Sequence, residues 1–243
     1  MLTLACVGAL VAGCGGAPTG TGTGPGSGIE PPQGGGATCE SNPVVTDVAK
    51  CRATVDGLVA TLRALLETEL PGTAQLSNNL FDASGNVGGT GVVFVPRPSE
   101  TGTDTYEAAV RIRDGERSAN LNVTVERHHV VPADPQCRSE EMVADATSKG
   151  IVIVRCDRAE RDDGTVVVTR ADDYPYDQER SLLLPARSIA AYRPDGVMVL
   201  VSLDGQIESA KPAGLAPGTT VPSMLSVDQL VRIGLDPRMT VLA

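Results

Sequence analysis

Four Asp-Gly pairs, at 114–115, 163–164, 195–196 and 204–205, stand between runs in which apolar and polar residues alternate. Asp-Gly accepts the positive φ of a tight hairpin turn, and alternation with period two gives a strand one apolar face. Together they direct the chain toward strands that pair antiparallel with their neighbours in sequence. The β-rich runs fall at 92–95, 105–113, 118–125, 151–154, 166–169, 188–192 and 197–203, and in 118–125 Ala119, Leu121, Val123 and Val125 share one side. Calcium loops also use Asp and Gly, but they need several carboxylates at odd positions of one loop. No such run occurs, so the pairs predict turns and no metal site.

A long helix precedes the strands. Val48, Cys51, Val55, Leu58, Leu62 and Leu65 recur at steps of three and four, with Val59 and Leu66 widening the stripe. Thr46 or Asp47 can cap its start and Pro71-Gly72 stops it, which predicts a helix over 46–70. Near the end, Ser226-Val227-Asp228-Gln229 fits a capping box for a short helix through Ile233, ended by Gly234. Its Val227, Leu230, Val231 and Ile233 can dock on a sheet. The layout is helix, hairpin meander, short helix. It predicts an α+β fold, an antiparallel sheet with one helix-covered face. Residues 38–243 form one globular domain, with a subdivision near 132–136 as the alternative. The sequence has no Trp, two Phe and four Tyr, so Val, Leu, Ile and Ala must build the core. Aromatic platforms for stacking sugars or bases are not expected.

The N-terminal region has a different character. Leu2 to Ala12 is an apolar run too short to span a bilayer, and it closes on Val11-Ala12-Gly13-Cys14. This resembles the lipobox of bacterial lipoproteins: an aliphatic residue, two small ones and the lipid-bearing cysteine. The resemblance implies a signal peptide over 1–13 and a diacylglyceryl thioether on Cys14. Two buried acyl chains, at roughly 0.8 kcal/mol per methylene, suffice for a stable anchor. The positive charge usual before such a run is missing, which points to a start upstream of Met1. Residues 15–36 hold ten Gly and four Pro, and nothing there can bury apolar area. With Cys14, residues 14–37 are expected to form a disordered leash of roughly 25 Å.

The expected location is therefore outside the cytoplasm, held at the cell membrane by lipid. That compartment permits disulfides. With Cys6 in the signal and Cys14 lipidated, Cys39, Cys51, Cys137 and Cys156 remain. Three pairings are possible. Loop closure favours Cys39–Cys51 and Cys137–Cys156. A zinc site is the sharper alternative, but no Cys-x-x-Cys spacing occurs. The tail from Ser226 to Thr240 and the Tyr192-Arg193-Pro194-Asp195-Gly196 hairpin are similar to segments of uncharacterised secreted actinobacterial proteins. That resemblance covers about a quarter of the chain, and it implies an origin without an activity.

Net charge is −10, and Glu30 is the one charged residue before residue 37. An acidic domain is a poor partner for nucleic acid, which requires a basic face. The sequence contains no Gly-x-Ser-x-Gly elbow, no Ser-x-x-Lys and no His-Glu-x-x-His. Its two histidines, His128 and His129, are adjacent at a strand end, so their side chains point to opposite faces. Either could act as a general base beside Glu126. The plainer expectation is one exposed and one half-buried imidazole. The carboxylate pairs Glu140-Glu141, Asp162-Asp163 and Asp172-Asp173 are expected as solvated surface. No cofactor is implied. The sequence points to a non-catalytic binding domain whose partner is an envelope protein or wall component. A carrier of an apolar ligand such as a lipid, and an envelope hydrolase of unrecognised type, are the alternatives.

Overall fold

Asp47 opens the chain's long helix, α1 (Val48–Glu69), by accepting the Lys50 N–H at 3.0 Å. Cys51, Thr54, Val55, Leu58, Thr61, Leu62 and Leu66 form its buried stripe. Leu70 leaves the helix with extended backbone, and Pro71 follows. The computed structural model describes residues 39–40, 42, 45–79, 81–82, 85–86, 91–97, 104–127, 140–176, 182–207 and 219–242. The lipobox residues, Cys137, His128 and His129 lie outside them.

The strands are β1 (Gln75–Asn78), β2 (Phe81–Asp82), β3 (Gly85–Asn86), β4 (Val95–Arg97), β5 (Thr105–Asp114) and β6 (Arg117–Arg127). After a second helix, α2 (Glu140–Ser148), come β7 (Val152–Glu160), β8 (Val166–Pro175), β9 (Leu182–Tyr192), β10 (Val197–Ile207) and β11 (Thr219–Thr220). A third helix, α3 (Val227–Leu235), follows. One nine-stranded sheet has the order β1-β5-β6-β10-β9-β8-β7, with β4 also on β5 and β11 on β9. Its ladders are antiparallel except β11–β9. The α+β class expected from the sequence is the observed one. The sheet includes strands from both sides of 132–136, because β6 and β10 pair from Arg127↔Val197 to Arg117↔Ile207.

Three of these four inter-run Asp-Gly pairs make hairpin turns. Gly115, Gly164 and Gly196 have φ of 62°, 80° and 79°, values that only glycine adopts cheaply. The last two turns share one design. Gly164 and Gly196 donate to the carbonyls of Arg161 and Arg193 at 2.9 and 3.0 Å. The Asp163 and Asp195 carboxylates accept the N–H of Thr165 and Val197 at 2.9 and 3.1 Å.

The fourth pair is no turn. Asp204 and Gly205 lie inside β10, opposite Asn120 and Ala119 of β6. A β-carbon on Gly205 would sit 2.8 Å from Pro185 Cδ and 3.1 Å from its carbonyl oxygen. Glycine is needed there because a proline of β9 presses on the strand. Gly234 corrects the sequence expectation in the same way. It does not end α3, which runs on to Leu235; it is a buried helical residue where the helix meets the sheet. The Ser226–Gln229 capping box forms as expected. Several strands outrun their sequence signals, β7, β8 and β9 most of all. The 92–95 run joins the sheet only from Val95. Helix α2 is not foreshadowed by any clear stripe.

Directly paired residues of an antiparallel ladder point to the same face, so the registers assign every side chain. One face carries Ala108, Val110 and Ile112 of β5, Leu121, Val123 and Val125 of β6, Val199, Val201 and Leu203 of β10, and Ile189 and Ala191 of β9. These are all buried, and they form one cluster with Leu58, Leu62 and Leu66 of α1 and Leu230 and Ile233 of α3. Both helices therefore cover the same face. Phe94 and Val92 turn into this core, while Val93 and Val95 pack with Ala109 in a small cluster. Ala109 pairs with Asn122 and so belongs to the opposite face.

Candidate interaction face

The opposite face has another chemistry. Across its middle run Ala109, Asn122, Ser202, Ser188, Arg170 and Cys156, one from each of six adjacent strands. The row on one side holds Glu107, Thr124, Leu200, Ala190, Val168 and Arg158. On the other side are Arg111, Asn120, Asp204, Ala186, Asp172 and Ile153. Amides, hydroxyls and charges dominate, and Leu200 at the centre is 37% exposed. A sheet with one dry and one wet face has this composition.

At the β4–β5–β6 end the face dips into a groove of about 330 Å³, lined by Asn79, Arg97, Glu107, Ala108, Ala109, Asn122 and Thr124. Arg97 Nε donates to Glu107 Oε2 at 3.0 Å, and Asn79 Nδ2 to Asn120 Oδ1 at 3.3 Å. Because the cation and anion are already paired, the groove offers hydrogen-bonding groups with little net charge.

A buried polar knot spans the sheet at β8. Asp172 and Asp173, expected as solvated surface, are 3% and 7% exposed. Adjacent strand residues face opposite ways, so each carboxylate has its own partners. Asp172 takes Arg170 Nε at 2.6 Å and the Tyr174 hydroxyl at 3.3 Å on the open face. Asp173, on the helix side, takes Arg187 at 2.8 Å and the Thr220 hydroxyl at 2.9 Å. Arg187 also donates to the Asp172 and Ala186 carbonyls. Such donors offset the burial of the two carboxylates, while Asp172 Oδ1 has no hydrogen-bond partner among the described residues. Burial, and next the Asp172 carboxylate, holds the Tyr174 phenol above its ordinary value. The one signal in the sequence is Arg-x-Asp inside a strand, which puts both charges on one face; it occurs at Arg170/Asp172 and again at Arg155/Asp157.

Of the low-priority catalytic candidates, Glu126 is a half-buried residue of β6 on the open face, paired with Thr105 and Met198. Burial, and then its carboxylate, raise the Tyr192 phenol. His128 and His129 are outside the described residues. Asp162 and Asp163 sit in an exposed turn, and backbone donation from Thr165 lowers the Asp163 carboxyl. No group of three or more His, Cys, Asp or Glu side chains suited to a metal occurs among the described residues. Cys39 and Cys51 are joined in a disulfide, and Cys156 is also disulfide-bonded, to a partner outside the described residues. No described helix is long and apolar enough to cross a membrane.

Comparison with known proteins adds little. No protein-family model matches the chain, and no curated protein matches it. A solved structure of an uncharacterised Mycobacterium smegmatis protein, described as an Rv0999 ortholog, is similar over 65% of this chain and 87% of that one. Identity is 15% and the TM-score 0.33. No activity comes with that likeness.

Proposed function

We propose that this chain is a lipid-anchored envelope protein whose domain binds an envelope protein or wall component through the open face of its sheet. The observation that carries this reading is the asymmetry of the sheet. Its helix side is closed by α1 and α3, and its other side presents a broad polar surface with an exposed leucine at the centre. The Val11–Cys14 motif, the Gly- and Pro-rich leash and the oxidised cysteines support an extracytoplasmic setting. A lipid carrier needs space between helix and sheet. Here Phe94, Leu58, Leu62, Leu66, Leu121, Leu230 and Ile233 fill that space at under 2% exposure.

Two experiments separate the parts of the proposal. Replacing Cys14 by Ser should abolish labelling by a clickable fatty acid and partition into a detergent phase. A photo-crosslinking residue at Leu200 should capture a specific partner in intact cells, while the same residue at Glu67, exposed on α1, should not. A wild-type chain that never takes label removes the anchor, and equal capture from both positions removes the binding face.

A further inference from the structure

Strand β7 is the outermost strand of the sheet and pairs only with β8 among the described residues. Val152 and Val154 are 49% and 57% exposed, and the side chains of Arg155 and Asp157 are 46% and 44% exposed. Among the described residues no second strand pairs along its outer side. Charges on an edge strand ordinarily guard it from such pairing. Here their order has a sharper consequence.

Two copies of one strand that pair antiparallel are related by a two-fold axis normal to the sheet. Opposite residues must share a face, so the axis passes through a residue and never between two. An axis through Arg155, Asp157 or Arg158 sets that charge against itself. An axis through Cys156 sets Arg155 against the second copy's Asp157, and Asp157 against its Arg155. Within one copy Arg155 and Asp157 already form an ion pair. The two-fold at Cys156 thus closes a ring of four alternating charges on one face of a continuous sheet. Among axes through residues 155 to 158, this register alone avoids placing like charge on like.

We propose that β7 is a self-association edge, pairing with β7 of a second copy about a two-fold at Cys156. The bulge between Ile153 and Arg155 limits the regular ladder, so the dimer is weak and concentration-dependent. This proposal is independent of the open-face reading.

The test uses the full chain carrying Cys14→Ser, exported so that its disulfides form, in sedimentation equilibrium. The unaltered edge should give a reversible monomer–dimer equilibrium. Arg155→Asp and Asp157→Arg should each weaken it at least about tenfold, because each puts like charges opposite one another. The double swap Arg155→Asp/Asp157→Arg should restore it. Arg155→Gln, gentler on the fold, should weaken it in the same direction. Arg158→Glu, outside the ring, should leave it within about twofold. A chain that stays monomeric at all concentrations overturns the proposal. So does a dimer indifferent to both reversals, or a swap that fails to restore pairing.

Discussion

Ile189 Cδ1 occupies the place a β-carbon on Gly234 would need, only 2.3 Å from where that atom would stand. The contact sets how closely α3 approaches β9. Gly234→Ala gains helix propensity of about 1 kcal/mol, but it drives a methyl group into a side chain only 1% exposed. Overpacking should win, with a net loss of about 1–2 kcal/mol in urea unfolding. Ile189→Val removes the obstructing carbon and alone should cost about 1 kcal/mol. Combined, the two substitutions should cost clearly less than their sum, because each relieves the other. Strict additivity would mean that the contact does not limit the helix.

The same residue explains what a sequence can and cannot disclose. Glycine at a turn and glycine under a close neighbour are the same letter. Gly115, Gly164 and Gly196 match their turn expectation because turn chemistry is local. Gly205 and Gly234 do not, because Pro185 and Ile189 come from a strand whose position depends on the whole sheet. Helix α1 was legible from its stripe, which spans several turns. In α2, Ala146 is buried and Val143 exposed, so no stripe announces it. The open face was legible only in part. Alternation shows that each strand has a polar side. That Asn122, Ser202 and Ser188 lie in one row follows from β10 inserting between β6 and β9, a long-range pairing. The burial of Asp172 and Asp173 has the same origin, since Arg187 and Thr220 arrive from other strands.

Asp173 and Arg187 offer a direct test of that buried knot. Their side chains are 10% and 13% exposed, so removing one strands the other in a poorly solvated site. Asp173→Ala should lower stability by about 3–5 kcal/mol. The double variant Asp173→Ala/Arg187→Met should be less damaging than Asp173→Ala alone, since no unpaired charge remains. Denaturant unfolding of the four proteins measures the coupling. A double variant worse than either single one would show that the pair acts through something besides its charges.

The Cys39–Cys51 bridge joins the incoming chain to the first turns of α1, across a sequence separation of 12. Both sulfurs belong to the helix-side core, with the residues 1% and 2% exposed. In the chain-entropy account a loop this short contributes about 3 kcal/mol. Cys39→Ala/Cys51→Ala should therefore unfold at lower urea by about that amount. Any further response of this variant to reductant belongs to the bridge at Cys156. If reductant shifts wild type and variant equally, the bridge contributes nothing to stability.

Arg232 of α3 holds both oxygens of the Glu69 carboxylate, at 2.6 and 2.7 Å, while Gln229 Nε2 donates to the Glu69 carbonyl at 2.8 Å. The last turn of α1 is thereby fastened to α3. The guanidinium hydrogen bonds hold the Glu69 carboxyl below its ordinary value of 4.5. A carboxyl whose folded pKa is depressed stabilises the fold fully above the unfolded value and loses that contribution as pH falls through the folded value. Wild type should accordingly melt above Glu69→Gln at neutral pH. The gap should narrow as pH drops below about 4.5 and close once Glu69 is protonated in both states. High salt at neutral pH should shrink it too, because Arg232 is solvent-exposed. Thermal melts of both proteins across that range decide the matter. A gap that persists unchanged into strong acid would assign the difference to packing and remove the ion pair from the account.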